Sequence, residues 1–235
     1  MRISDFHSHI LPAIDDGSRS VEESLQMLRL EAEQGVRRVI ATPHFYAHRD
    51  TMEHFLQKRK AATERLKEAV TKSSELPEIL VGAEVYYFRG ISNSDQTLGL
   101  TIEGKSCILV EMPYAEWTES MYQELETIYM RFGITPIIAH IDRYLRPFQG
   151  RQVLKRLAEL PVLVQANADF FLNKATGRRA LRMLKQDQIH LLGSDCHNLK
   201  DRAPNLGLAI EKIRKKLGDE VLERVVSYQK DACEV

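Results

Sequence analysis

The chain has 235 residues but only three cysteines, one tryptophan and no net charge, with Lys+Arg and Asp+Glu both totalling 33. Cys107, Cys196 and Cys233 are odd in number and far apart, so they offer neither a disulfide framework nor the spacing of a thiolate zinc cage. They read as reduced thiols. A balanced charge provides no broad field to hold nucleic acid or an anionic membrane, so any charged site has to be local. No stretch approaches the roughly 20 apolar residues of a membrane span. The first residues run into Asp5 and His7 rather than into the apolar centre of a signal peptide. These absences lead to the expectation of a cytoplasmic protein without membrane insertion. What remains is ordinary globular material, 43% apolar, enough for one sizeable core.

Short apolar runs alternate with amphipathic stretches, the pattern of βα units around a parallel sheet. Strands are expected over residues 3–9, 38–44, 78–87, 107–111, 134–140, 162–167 and 189–194. Helices are expected over 52–72, 119–131, 149–159, 176–185, 203–217 and 220–229, with a first helix opened by Ser20 and closed by Gly35. Ser20 followed by Glu23 has the spacing of a capping box, and Gly133 stands where a helix would stop. The turn-rich segment 89–105 leaves room for a small hairpin. With no repeat, low-complexity tract or linker, residues 1–235 read as one domain. Seven βα units sit near the size of a barrel of parallel strands, typically about 250 residues, and an open doubly wound sheet is the alternative. Both architectures gather functional groups at the carboxyl ends of the strands.

Those ends carry the chemistry. His7 and His9, two apart on a strand, point to one face. The second strand ends at His44, the third runs through Glu84, the fourth ends at Glu111 and the fifth at His140. The seventh is followed by Asp195 and His197, and Asp16 lies just beyond the first. Each taken singly has a bland alternative, since strand-end polar residues commonly satisfy backbone groups. Taken together in a parallel sheet they converge on one rim. Of the eight histidines, His48, His54 and His190 fall in a loop, a helix and a strand start and are set aside. The set exceeds what one ion needs, and its mixed nitrogen and oxygen donors point to two or three divalent ions, with Mn²⁺, Fe²⁺ and Zn²⁺ all compatible. Such a cluster generates hydroxide at neutral pH and stabilises both oxygens of a phosphoryl transfer. Arg143 and Arg202 leave the rim just after His140 and His197 and have the forked donors that phosphate accepts.

At this point the residues resemble a known family. The run from His7 to Ser18, His-Ser-His-Ile-Leu-Pro-Ala-Ile-Asp-Asp-Gly-Ser, is similar to the opening of the polymerase-and-histidinol-phosphatase (PHP) family. More narrowly, it resembles the tyrosine-protein phosphatase branch of capsular and exopolysaccharide operons, the CpsB/YwqE type. Thr42-Pro43-His44, Gly82-Ala83-Glu84, Glu111-Met112-Pro113, the run from Ala139 to Tyr144 and that from Gly193 to Asn198 follow in the same order. The resemblance implies a distorted seven-stranded, TIM-like (βα)₇ barrel of the PHP type. It also implies a trinuclear site, usually Mn²⁺-dependent, on His7, His9, Asp16, His44, Glu84, Glu111, His140, Asp195 and His197. By the same transfer, Arg143 and Arg202 bind phosphate, and the substrate is a tyrosine-phosphorylated protein, a bacterial tyrosine autokinase that controls polysaccharide export. The chain departs from the branch at Ala13, where glycine is common, at Asp142, where glutamate is frequent, and at Cys196, where a small or apolar residue is usual.

The expected reaction is attack by metal-activated hydroxide on phosphorus. In this reading His7, His9, Glu84 and Asp195 hold one ion. Glu84 bridges to a second ion held by Glu111 and His140, and Asp16, His44 and His197 serve a third. Loops 45–51 and 89–98 are the segments expected to meet substrate. The alternatives are another PHP phosphoesterase, such as a histidinol phosphatase, and a catalytically silent scaffold. A thiol mechanism is the remaining rival, because Cys196 and Arg202 fit Cys-x5-Arg. The intervening loop has no glycine, contains Asp201 and follows Asp195, and such carboxylates raise a thiol pKa rather than lower it. Phosphatase turnover is therefore expected to persist in Cys196→Ser and to be abolished by a chelator. The opposite pair of results would establish the thiol mechanism.

Overall fold

In the computed structural model, residues 3–71, 75–93, 95–145 and 150–231 are described. Lys72 and Gln149, at the ends of two expected helices, and Cys233 lie outside the described residues. Among the described residues, nine short parallel strands form two hydrogen-bonded groups, ordered β1-β2-β4 and β3-β5-β6-β7-β8-β9. They are β1 (Ser4–Ser8), β2 (Arg38–Ala41), β3 (His44–Phe45), β4 (Glu78–Val81), β5 (Glu84–Tyr86), β6 (Cys107–Glu111), β7 (Thr135–Ile138), β8 (Leu163–Asn167) and β9 (Leu191–Gly193). The seven strands expected differ from these nine because two are interrupted. Pro43 has no N–H to donate and separates β2 from β3, while Gly82 and Ala83 separate β4 from β5. The breaks are bridged, since Gly82 donates its N–H to Ala41 O at 2.8 Å and Glu84 donates to Pro43 O at 3.0 Å. At the other side, Asp195 N–H reaches His7 O at 2.7 Å and His9 N–H reaches Cys196 O at 2.9 Å. The parallel layer is thus curled, with β1 beside the chain that leaves β9.

The curl has two apolar sides. Phe6, Ile40, Cys107, Leu109, Ile137 and Leu191 come from five strands yet touch one another, so they fill the concave side. Ile108 and Val110 alternate with Cys107 and Leu109 along β6 and belong to the larger cluster under the helices. Glu111 continues the inward series of Cys107 and Leu109 and so points to the concave side at the strand's carboxyl end. Each large apolar side chain fully buried this way contributes about 1.5–3 kcal/mol.

Eight helices are described: α1 (Val21–Glu33), α2 (Met52–Val70), α3 (Glu119–Phe132), α4 (Gly150–Leu157), α5 (Ala168–Leu172), α6 (Gly177–Lys185), α7 (Leu206–Leu217) and α8 (Asp219–Asp231). Ser20 caps α1 by accepting the Glu23 N–H at 3.2 Å, but Glu23 reaches back to the Arg19 N–H rather than to that of Ser20. Gly133 ends α3 with φ +64, a conformation that costs glycine nothing. The short helix α5 has no counterpart among the helices expected from the sequence. α7 starts three residues later than expected because Pro204 stands before its cap, Asn205. The hairpin expected in 89–105 is absent among the described residues, where two 3₁₀ turns, Ile91–Asn93 and Asp95–Leu100, take its place. Among the described residues no helix is long and apolar enough to cross a membrane.

At Gly193 the strands run too close for a side chain. A Cβ there would lie 2.6 Å from His7 Cβ and 2.8 Å from Gln165 Nε2. Gly193→Ala is expected to destabilise the metal-free protein by about 1–3 kcal/mol through overpacking, measured by chemical denaturation with chelator present.

Candidate metal centre

The strand ends deliver their polar groups to one place. Glu84 is 1% exposed, and imidazoles surround it. Its Oε1 lies 2.7 Å from His140 Nε2, and its Oε2 lies 2.9 Å from His44 Nδ1, 3.2 Å from His7 Nε2 and 3.3 Å from His9 Nε2. Asp195 Oδ1 is 3.4 Å from His7 Nε2 and 3.5 Å from His9 Nε2. Glu111 Oε1 stands 3.6 Å from His140 Nε2, and Asp16 Oδ1 is 3.4 Å from His44 Nε2 and 3.6 Å from His197 Nε2. Every residue singled out as a ligand from the sequence is in this one cluster. Donor atoms lie within 4.8 Å of one another in three sets: His9, Asp16, His44 and His197; His7, His9 and Asp195; and His44, Glu84 and Glu111. His9 and His44 are each shared between two sets. His140 is outside all three, although it contacts Glu84. His54 pairs with Asp50, and His190 Nδ1 accepts the Val164 N–H, so both are engaged elsewhere.

Two of the residues have backbones that few non-glycine residues adopt. His140 has φ +32 and Asp195 φ +56, each just past the last residue of β7 or β9. The left-handed turn redirects each side chain away from the strand's alternation, at a cost of order 1–3 kcal/mol that the surrounding packing has to offset.

Outer contacts set which nitrogen faces inward in three of the rings. His9 Nδ1 is 2.8 Å from Asp15 Oδ2, and that carboxylate also accepts the backbone N–H of His44 and of Gly17. His197 Nδ1 donates to Asp195 O at 2.9 Å. His7 Nδ1 faces Gln165 Oε1 at 3.4 Å; the same oxygen accepts the His140 N–H, while Gln165 Nε2 donates to Asn167 Oδ1. In these three rings Nδ1 meets an acceptor, which favours a proton there and leaves Nε2 facing the cluster. His7 Nε2 and His9 Nε2 lie 3.2 Å apart, and both also face Glu84 and Asp195. Glu84 Oε2 and His44 Nδ1, 2.9 Å apart but not aligned for a hydrogen bond, and His197 Nε2 are buried without a hydrogen-bond partner. Donor atoms converging in a largely buried space fit divalent cations, and the donors are nitrogen and oxygen only. Asp15, Gln165, Asn167 and the hydroxyl of Tyr144, which is 3.4 Å from His140 Nδ1, were not singled out from the sequence. Of these only Asp15, next to Asp16, carried a local signal.

The charges pull in opposing directions. Burial, followed by the neighbouring Glu84 carboxylate, pushes Glu111 up to about 7. Burial and the adjacent His9 push His197 down to about 3. Burial alone would raise Asp15, yet His9 and the backbone donors hold it well below the usual carboxylate range. Burial raises the Tyr46 hydroxyl too, with Glu111 and Glu84 adding to it, and its ring lies 5.2 Å from that of His44. Cys196 is fully buried, and burial with Glu31 and Asp5 nearby raises its thiol far above the ordinary value, so it is no nucleophile. Arg143 Nη2 and Arg202 Nη2 lie 2.8 and 2.7 Å from opposite oxygens of Asp195, and both guanidiniums are partly exposed.

Asp15→Asn would keep the shape at His9 and weaken the acceptor that orients it. Metal affinity is expected to fall about 10–100-fold, read by competitive chelator titration.

The whole chain has known relatives. The family model described as "Capsular polysaccharide synthesis, CpsB/CapC" matches residues 3–232. The tyrosine-protein phosphatase CpsB of Streptococcus pneumoniae is 32% identical over 229 residues, covering 91% of this chain and 90% of its own. A crystal structure described as one of YwqE from Bacillus subtilis and CpsB from Streptococcus pneumoniae, "unique metal-dependent tyrosine phosphatases", superposes with a TM-score of 0.87. That match has 25% identity and covers 98% of this chain and 94% of the other. A histidinol phosphate phosphatase from Lactococcus lactis shares the fold at TM-score 0.59 and 13% identity, covering 94% of each chain. The curled α/β fold is thus the PHP type, and the chain belongs to the CpsB/CapC family of capsular polysaccharide synthesis.

Proposed function

We propose that this protein is a metal-dependent phosphatase that removes phosphate from tyrosine residues of a protein, a bacterial tyrosine kinase of polysaccharide synthesis and export. The carrying observation is the pair of guanidiniums, Arg143 and Arg202, standing on Asp195 at the edge of a buried histidine–carboxylate cluster. The named activity of the CpsB and YwqE relatives supports the substrate class. The cofactor is two or three divalent ions, Mn²⁺ first among them, with Fe²⁺ or Zn²⁺ accepted by the same donors. His7, His9, Asp16, His44, Glu84, Glu111, His140, Asp195 and His197 would hold them. Bound there, such ions lower the pKa of water and offset phosphoryl charge. The nine strands, counted through their breaks, form one distorted seven-stave barrel, and residues 1–235 work as a single cytoplasmic domain.

The chain's own groups then have definite tasks. Arg143 and Arg202 bind the phosphoryl oxygens and hold phosphorus in line for attack by water. Asp15, Gln165 and Asn167 keep the imidazoles and Asp195 aimed, so little reorganisation accompanies the reaction. The P–O bond to tyrosine breaks as water's oxygen bonds to phosphorus. Because a tyrosyl oxygen has a pKa near 10, it departs without a strong general acid.

Purified protein is expected to hydrolyse a phosphotyrosine peptide with Mn²⁺ and to lose that activity in EDTA. Histidinol phosphate turned over faster than the peptide would overturn the substrate assignment. Arg143→Ala is expected to lower kcat about 10²–10³-fold with metal content unchanged. Metal lost along with activity would make Arg143 a structural residue instead.

A further inference from the structure

One aromatic group at the cluster's edge is built more firmly than a surface loop requires. Phe45, in β3, is buried against Phe55 of α2, with ring centroids 5.0 Å apart, and against Phe88 at 6.4 Å. Tyr46 follows it directly, and its carbonyl accepts the N–H groups of Arg49 and Asp50 at 2.9 and 3.1 Å, closing a tight turn. Its half-buried ring lies 5.2 Å from the His44 ring, 5.7 Å from that of Tyr86 and 5.8 Å from that of His48. The Arg49 guanidinium sits 4.8 Å from the Tyr46 centroid. A groove of about 400 Å³ runs past Tyr46 and Arg49 and opens on Asp16 and His44, two of the residues that would hold metal. Further along it are Phe55 and Lys58.

We infer that Tyr46, backed by Tyr86, is the wall against which the aromatic ring of a phosphorylated tyrosine lies, and that it selects aryl over alkyl phosphates. The inference rests on the phosphatase reading above and adds the residues that recognise the organic part of the substrate. A phosphoryl group reaching Asp16 and His44 brings its substituent into this groove. A flat ring gains offset or edge contacts from Tyr46, whereas an alkyl chain of the same phosphate has no π-face to offer. The anchoring of Phe45 means that the wall is in place before substrate arrives, so binding does not have to order it. Arg49 is exposed and stacks on Tyr46, which leaves its guanidinium at the rim where an acidic group beside the phosphotyrosine would meet it.

The test compares wild type, Tyr46→Ala and Tyr46→Phe, each loaded with Mn²⁺. The measurements are KM for a phosphotyrosine peptide, the inhibition constant of inorganic phosphate, which has no ring, and metal content. In Tyr46→Ala, KM is expected to rise about tenfold, while phosphate inhibition and metal content stay as in wild type. Tyr46→Phe is expected to restore most of the KM lost in Tyr46→Ala, since the ring and not the hydroxyl makes the wall, and a KM as high as that of Tyr46→Ala overturns the inference. An unchanged KM in Tyr46→Ala overturns the inference. So does phosphate inhibition weakened in step with KM, which would make Tyr46 a support for the cluster. Wild-type protein that fails to hydrolyse the peptide overturns the phosphatase reading, and the aryl wall falls with it.

Discussion

Glu84 sits where water cannot screen it, with imidazoles from β1, β3 and the end of β7 around it. An ionised carboxylate taken out of water is tolerated only where opposite charge and hydrogen bonds replace its hydration. Much else in the molecule follows from meeting that requirement. The strands are parallel, so their carboxyl ends coincide. The layer is curled, so those ends surround a point rather than form a row. The donors around Glu84 come from different strands, and a flat sheet would have spread them along an edge.

The centre is held from behind as much as from within. Asp5 illustrates this: one of its oxygens accepts the backbone N–H groups of His7 and Ser194, tying the end of β1 to the residue after β9. Gly17 comes so close to His9 that a Cβ would be 2.3 Å from His9 O, which presses the Asp15–Asp16 turn onto the site. That turn divides its two carboxylates. Asp15 holds His9 and the His44 backbone, while Asp16, largely exposed, faces His44 and His197 from the open side. The left-handed backbones of His140 and Asp195 are the strained counterpart, and each aims its side chain into the cluster. The firm shell and the open rim serve different ends: one keeps lone pairs converged, the other admits a protein-borne phosphate.

Much of this was legible in the chain itself because the signals were local. The Ser20 cap, the Gly133 stop and the strand-end positions of His44, Glu111 and His140 are written within a few residues of where they act. The interruptions at Pro43 and at Gly82-Ala83 were less legible, since a strand reads as continuous until its neighbours are known. The segment 89–105 has the glycines of a hairpin, yet there Arg59 of α2 donates to Gly99 O and Thr97 Oγ donates to Ile91 O, favouring compact turns instead. Gln165 and Asn167 on β8 carried no signal at all. Their partners, His7, His140 and Asp195, are distant in sequence, and an amide on a strand looks the same whether it meets solvent or a histidine.

By itself the sequence determined which residues could be ligands, that they sit at the ends of parallel strands, and which family the ordered motifs belong to. Hydrophobic period and strand-end position are local properties, and an ordered set of short motifs is specific where one alone is not. The tertiary structure decided what depends on distance between segments. It showed which ring nitrogen turns inward, that His9 and His44 are each shared between donor sets, that Cys196 is sealed away from any phosphate, and that Tyr46 stands over the cluster. Those outcomes depend on how the strands curl and which outer acceptor each imidazole meets, and both are set by contacts between residues far apart in the chain.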